Sequence, residues 1–320
     1  MKFLLFGPDR RLGMLLDHRI LDLAFAAEAE GIALPDGAFA SLVDLIEAGD
    51  RGLDAARTLR ERFCDADRAD LFVPYASTHL HPPFPGRRLA LAGSNFADHI
   101  ANAYVNHGKP MTADEVRARS RAGKAGGFWV ISPPVGPDSE IPEPYGADGL
   151  FDYEGELALI LGKGGKRLSG EQWMDNVWGT TLVIDWSLRC QNLLSNQRPF
   201  YAHKTFDSSK SIGPWIAVDE GVDPTSWDVE TRVNGELRQN FNTRDMIHSF
   251  GELLEQMSEN LTLLPGDVLT SGTGPGTAAD KTVPAPNGDI PLDFFLKPGD
   301  LVEVTSPCLG TLRGRIIPSM

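Results

Sequence analysis

Cysteine is scarce in this 320-residue chain: Cys64, Cys190 and Cys308 are odd in number, far apart and without a C-x-x-C pair. That excludes a disulfide framework and a thiolate zinc site, and the three read as reduced, buried thiols. Positive charge is also in deficit, with 30 Lys and Arg against 44 Asp and Glu for a formal net charge of −14. Without a basic stripe to neutralise phosphates, a nucleic-acid partner is excluded. No stretch approaches the roughly 18 apolar residues that span a bilayer, so no membrane partner is expected. Phe3-Leu4-Leu5-Phe6 runs into Gly7-Pro8-Asp9 too soon to form the apolar core of a secretion signal, and a cytoplasmic location follows. There is no G-x-S-x-G elbow for a serine hydrolase. No G-K-[ST] accompanies the Gly-rich Ser271-Gly272-Thr273-Gly274-Pro275-Gly276, which argues against a nucleotide cradle.

What the chain does have is acid where a strand enters a core. Asp152, Glu154 and Glu156 occupy every second position directly before Leu157-Ala158-Leu159-Ile160-Leu161. Alternation along a strand puts the three on one face, about 6.5 to 7 Å apart, with Phe151 and Tyr153 on the other. Taken alone, the segment reads equally as an acidic, solvated face. The continuing run is apolar on both faces, however, which implies burial, and Asp185 follows Leu182-Val183-Ile184 in the same manner. Buried carboxylates repel one another, and a cation relieves that repulsion.

Residues 1–85 form a small N-terminal α/β module. It has short strands at Lys2–Phe6 and 13–16, a turn at Asp17-His18-Arg19, and helical spacing over 42–47 and 53–63 broken at Gly49-Asp50. His81-Pro82-Pro83-Phe84-Pro85-Gly86 leads into a main domain over 86–320 that begins with the strand Leu89–Ala92. Extended segments at 128–131, 153–161, 180–185, 215–218, 229–233, 268–271 and 301–305 make the class α+β, mainly β. Asn234-Gly235 is the strongest hairpin turn signal. A helix of about four turns is predicted to start near Thr243. Residues 111–127, a polar helical stretch with Gly123, Gly126 and Gly127, read as part of a flap over 105–127. His79 and His81 share strand spacing, but Pro82-Pro83 follows and no third nitrogen or sulfur ligand lies nearby, which argues against a metal pair.

Phe151-Asp152-Tyr153-Glu154-Gly155-Glu156-Leu157 closely resembles the signature of the fumarylacetoacetate hydrolase family, and further pieces follow in that family's order. They are Gly93-Ser94-Asn95-Phe96-Ala97-Asp98-His99, Ile184-Asp185-Trp186-Ser187-Leu188-Arg189, Lys204-Thr205-Phe206-Asp207 with Ile212-Gly213-Pro214-Trp215-Ile216, and Asn234-Gly235-Glu236-Leu237-Arg238-Gln239. Leu264-Pro265-Gly266-Asp267-Val268, Ser271-Gly272-Thr273 and Lys297-Pro298-Gly299-Asp300 complete the set, which spans about residues 89–315. The resemblance implies a mixed β-sheet roll as catalytic domain, a divalent metal and a homodimer. It places Glu154, Glu156 and Asp185 as metal ligands, with Asp152 a flanking acid at the strand entrance. Oxygen-only ligation suits Mg²⁺ or Mn²⁺, with Ca²⁺ possible, and an octahedral ion would keep about three positions for water and substrate.

His99 takes the family's base position. Three residues on, where many relatives have glutamate, stands Asn102. Either another acid reaches His99, with Glu303 the sequence's candidate, or the base is weaker. Lys204 takes the place of the lysine that binds substrate oxygen, Arg189 that of a substrate-binding arginine, and Gly272 and Thr273 that of a loop meeting the substrate carboxylate. Cys190 and Asn192 depart from residues common beside that arginine. The activity implied is metal-dependent C–C bond hydrolysis of an acylpyruvate-like or diketo acid, a small-molecule keto acid of the kind met in aromatic compound catabolism. An isomerase, decarboxylase or lyase on the same scaffold is the alternative, and a non-catalytic ligand-binding homologue a remote one.

Overall fold

A computed structural model of the chain describes all residues except 36, 65–67, 107, 146, 170, 190–199 and 320. The strand Gly155–Leu161 is fully buried, and its two faces meet different neighbours. Leu157, Leu159 and Leu161 pack in a core with Leu182, Trp186, Phe241, Val302 and Val304. Ala158 and Ile160 pack in a second core with Leu45, Leu53, Ala56 and Leu59 of the helix Leu42–Phe63. A run apolar on both faces is what a strand needs when each face is covered.

Among the described residues, eleven strands form one sheet. In spatial order it runs Phe72–Pro74, Arg19–Asp22, Arg11–Leu16, Lys2–Phe6, Lys210–Ala217, Val177–Asp185, Gly155–Leu161, Val268–Thr270, Leu89–Ala92 and Gly127–Val130, with Leu80–His81 paired to Lys2–Phe6. The N-terminal strands thus extend the sheet that carries the acidic motif, joined where Lys2 and Phe3 pair with Ala217 and Ile216. A second sheet of five strands, Glu236–Asn242, Asp228–Val233, Leu301–Ser306, Gly310–Ile317 and Ser139–Pro142, packs on one face. The helix Leu42–Phe63 covers the other, bent at Gly49 where φ is +58°. This is the mainly β, α+β architecture that the strand pattern predicts.

The hairpin turn is where the sequence puts it: Asn234 and Gly235 both take positive φ, 51° and 83°, as a tight turn between antiparallel strands requires. Three expectations are corrected. The helix predicted from Thr243 begins later: Thr243–Asp245 is one 3₁₀ turn, and Phe250–Ser258 is the helix. Ser249 caps its first turn while Glu252 reaches back, a capping box that outweighs the upstream apolar spacing. Cys64 and Cys308 are exposed rather than buried, and Cys190 lies outside the described residues, as does Asn192.

The third correction concerns the motif itself, which is not one continuous strand. Phe151–Asp152 pairs with Ser187–Leu188 in a separate two-stranded ladder, and the main strand starts only at Gly155. His79 and His81 serve structure: His81 Nε2 lies 2.6 Å from the Gly7 carbonyl oxygen, and the two rings pack edge to face. No helix among the described residues is long and apolar enough to cross a membrane.

Candidate active site

The break between Asp152 and Gly155 sorts the four acids into two jobs. Glu154, Glu156 and Asp185 each offer an oxygen within 4.8 Å of the others. Gly155 between them must lack a side chain, since a Cβ there would sit 2.3 Å from Thr231 Oγ1 of the second sheet. Glu156 and Asp185 lie on adjacent antiparallel strands, with Gly155 opposite Ile184, so the register gathers the three. All are buried, with 5%, 1% and 2% of their surface exposed, respectively.

Three internal cations answer this charge. Lys204 Nζ donates to Glu154 Oε2 at 2.6 Å, Asp185 Oδ2 at 2.7 Å and Ser187 Oγ at 2.6 Å. Arg189 donates through Nη2 to Glu154 Oε1 at 2.6 Å and through Nε to Asp152 Oδ2 at 3.0 Å. Lys210 Nζ stands 2.9 Å from Asp185 Oδ1. Burial alone would raise Glu154, but Lys204 and Arg189 hold it well below the usual carboxylate range. For Glu156, burial and then the charges of Asp185 and Glu154 push the carboxyl well above that range. Its Oε2 is buried without a hydrogen-bond partner. Three converging carboxylates with two buried oxygens that lack a hydrogen-bond partner, Glu156 Oε2 and Asp185 Oδ1, are the donor set of a hard divalent cation, so the residues present fit the ion that the motif implies.

Asp152 is more than a flanking acid. Fully buried, it accepts from the backbone N–H groups of Tyr153, Ala278 and Ala279 at 2.8, 2.7 and 3.0 Å, besides Arg189. It thereby ties the short helix Ala278–Lys281 to the arginine of the site. That helix carries the residue that the sequence reading missed. His99 Nδ1 lies 2.9 Å from both Oδ1 and Oδ2 of Asp280. Asp280 is itself held by N–H groups of Gly276 at 2.8 Å and Thr277 at 3.2 Å.

Burial pulls the His99 pKa down, yet the charge and hydrogen bond of Asp280, with Glu154 adding to them, outweigh it and leave it raised. Nδ1 on a carboxylate makes Nε2 the basic nitrogen of the neutral ring. Glu303, the sequence's candidate partner, is instead bound to Arg313 at 2.8 Å. The signal for Asp280 was present as Thr277-x-x-Asp280, a capping-box spacing, but a cap explains such an aspartate fully without a histidine.

The loop with Gly272 and Thr273 closes the far side. Gly272 has φ +74°, and a Cβ on it would come within 3.1 Å of the Ala92 carbonyl oxygen. The Thr273 hydroxyl donates to the Gly155 carbonyl at 3.0 Å and accepts from Gln239 at 2.7 Å, so its single proton is committed to the scaffold. Within the proposed flap, Ala113–Arg121 is a helix capped by Thr112 and Glu115. It packs on the His99 helix through Val116, Ala97 and Ala101, and Arg117 and Arg121 fasten it to carbonyls of Asp245, Met246 and Ile247.

The family description Fumarylacetoacetate (FAA) hydrolase C-terminal matches residues 89–317, the span that holds every site residue above. The chain belongs to the fumarylacetoacetate hydrolase family. The oxaloacetate tautomerase YisK of Bacillus subtilis is 30% identical over 316 residues, 95% of each chain. The fumarylacetoacetate hydrolase of Exiguobacterium antarcticum superposes with a TM-score of 0.70 at 28% identity, covering 99% of each chain. The maleylpyruvate hydrolase of Sphingobium sp. SYK-6, solved with manganese(II) and pyruvate, shares the fold with a TM-score of 0.71 at 23% identity over 100% of each chain. The fumarylacetoacetate hydrolase family is one of enzymes, and the two relatives of higher identity are a tautomerase and a hydrolase.

Proposed function

We propose that this chain is a divalent-metal-dependent hydrolase that cleaves a C–C bond of an acylpyruvate-like diketo acid. The observation that carries the reading is the His99–Asp280 pair beside the buried acidic triad, because hydrolysis needs a base for water whereas metal-driven decarboxylation needs none. Glu154, Glu156 and Asp185 would hold Mg²⁺ or Mn²⁺, which when bound supplies Lewis-acid polarisation of the keto oxygens and neutralises developing negative charge.

His99 takes a proton from water, and the hydroxide adds to the distal carbonyl carbon. The bond from that carbon to the methylene then breaks, its electron pair passing to the pyruvyl fragment as an enolate. Protonation of the enolate carbon releases pyruvate beside a carboxylic acid, and Asp280 holds the imidazolium in place meanwhile. Lys204, whose three ammonium protons go to Glu154, Asp185 and Ser187, supplies a held positive charge that stabilises the oxygen that becomes negative. Arg189 completes the substrate side, whereas Thr273, whose hydroxyl proton goes to the Gly155 carbonyl, holds the backbone between the acids instead of donating to substrate.

Keto–enol tautomerisation of a 2-oxo diacid is the second reading, favoured by the likeness to the oxaloacetate tautomerase over 95% of each chain. It would use the same His99 as a proton shuttle. Turnover of acetylpyruvate, fumarylpyruvate, oxaloacetate and an unsaturated 2-hydroxy dioate with Mg²⁺ and Mn²⁺ separates the two. Release of pyruvate plus a second acid supports the hydrolase, whereas enol-to-keto conversion of oxaloacetate without fragmentation overturns it in favour of the tautomerase. The reading includes a homodimer, and light scattering that returned the 34.8 kDa of one chain would refute that part.

A further inference from the structure

Gln239 is a buried amide to which the mechanism above gives no role. It lies on Glu236–Asn242 of the second sheet, directly opposite Thr231, the residue that leaves no room for a side chain at Gly155. Its Oε1 accepts from the Gly155 N–H at 3.0 Å, and its Nε2 donates to Thr273 Oγ1 at 2.7 Å and to the Gly274 carbonyl at 2.8 Å. A backbone N–H that can only donate and a carbonyl that can only accept fix which end of the amide is which. They also fix the direction of the Thr273 hydroxyl, which donates to the Gly155 carbonyl at 3.0 Å. The N–H and C=O of Gly155 are thus closed into a ring through two side chains.

That ring stands where a strand leaves the sheet. The Glu154 carbonyl accepts from the Asp185 N–H at 2.8 Å, so alternation along the ladder turns the polar groups of Gly155 to the opposite side, toward Val268–Thr270. That strand pairs with Ala158, Leu159 and Ile160, and Ser271 continues the contact by donating its N–H to the Leu157 carbonyl at 2.8 Å and accepting from the Leu157 N–H at 3.1 Å through its hydroxyl. Gly272 then turns the chain at φ +74°. From there Gln239 and Thr273 supply the acceptor and the donor that a neighbouring strand would give Gly155.

We propose that Gln239 is a positioning residue for the metal acids: by locking the Gly155 peptide through this ring, it sets the spacing at which Glu154 and Glu156 present their carboxylates. The inference rests on the metal-binding reading of Glu154, Glu156 and Asp185. Gly155 is the joint between two of the three acids, and a residue without a Cβ has the widest backbone freedom, so rotation at this joint carries both glutamates with it. Thr231 excludes stiffening the joint with a side chain, which leaves hydrogen bonds to hold it. Mg²⁺ demands near-ideal octahedral geometry and binds weakly where its donors are misplaced. Residues that hold ligands without touching the ion typically account for about 10- to 100-fold in affinity.

Isothermal calorimetry with Mg²⁺ and Mn²⁺ on the native protein, Gln239→Leu, Thr273→Val, Thr273→Ser and the Gln239→Leu/Thr273→Val double variant tests this. Gln239→Leu and Thr273→Val each open the ring without removing a ligand, and each should weaken both ions by about 10- to 100-fold. The double variant should lose no more than the weaker-binding single one, because both changes free the same peptide. A loss equal to the product of the two single losses would mean independent effects and overturn the proposal. Thr273→Ser, which keeps the hydroxyl, should lose less than Thr273→Val, and equal losses would count against the ring. Native affinity in either folded single variant would also overturn the proposal, since that is the result expected if Gln239 only supports the fold. Should Gln239→Leu fail to fold, Thr273→Val and Thr273→Ser decide by the same criteria, because they act on the same ring. Failure of both ions to bind the native protein would instead remove the metal reading beneath it.

Discussion

In the antiparallel pair formed by Gly155–Leu161 and Val177–Asp185, Leu157, Leu159 and Leu182 are completely buried among apolar neighbours. Where that pair meets the site, Glu154, Glu156 and Asp185 are nearly as buried, among two lysines and an arginine. Backbone pairing continues through both regions, so the ladder does not tell them apart; the side chains do. For the leucines burial is the gain, about 1.5 to 3 kcal/mol each. For the acids burial is a cost that internal cations offset incompletely, and Glu156 is where the deficit falls. The apolar region therefore supplies stability and the polar region costs it, and substitutions should separate the two.

The largest effect is expected from Glu156→Gln, which removes a ligand charge with little change of shape. Calorimetry should show metal binding lost. The metal-free protein should melt no lower than the native one, because the acid removed is the one without a cation partner. A lower Tm for the metal-free variant would mean that Glu156 stabilises the fold, against the contrast drawn here.

His99→Ala should lower kcat by about 10²- to 10⁴-fold while metal affinity stays near native. Full activity on every substrate that the native protein turns over would eliminate the hydrolytic mechanism. In the apolar region, Leu159→Ala should cost about 2 to 5 kcal/mol in denaturant unfolding, with metal affinity retained in the folded fraction. A selective loss of metal affinity there would show that the two regions are coupled.

A smaller and more diagnostic change is expected from Asp280→Asn. Because Asp280 raises the His99 pKa, its removal should lower that pKa, and the acidic limb of the pH–rate profile should move to lower pH as the neutral base persists further down. The sign for stability is the companion check. A histidine with a raised folded pKa contributes stability fully present below its unfolded value and lost as pH rises through the folded one, and Asp280→Asn should flatten that dependence. Introducing Asn102→Glu into Asp280→Asn tests position directly: recovery of the native pH profile would show that a carboxylate on the His99 helix can do the same work.

The strands, the turn at Asn234-Gly235 and the acidic triad were legible in the sequence because each is written locally, in a period of two, a turn dipeptide and acids abutting apolar runs. What lay beyond local pattern was every pairing that closes a long loop. Asp280 is 181 residues from His99 and carries only the signature of a helix cap. Lys210 reads as the first residue of a strand until the register sets it opposite Asp185. Asp152 shares the spacing of the triad but turns away at the break before Gly155, because three N–H groups and Arg189 offer it better partners than a solvated strand entrance would. The chain thus determines by itself which acids can gather a cation. The tertiary structure decides which carboxylate serves the histidine and which lysine stands opposite Asp185, since a buried charge is settled by whatever opposite charge packing brings within reach, however distant in sequence.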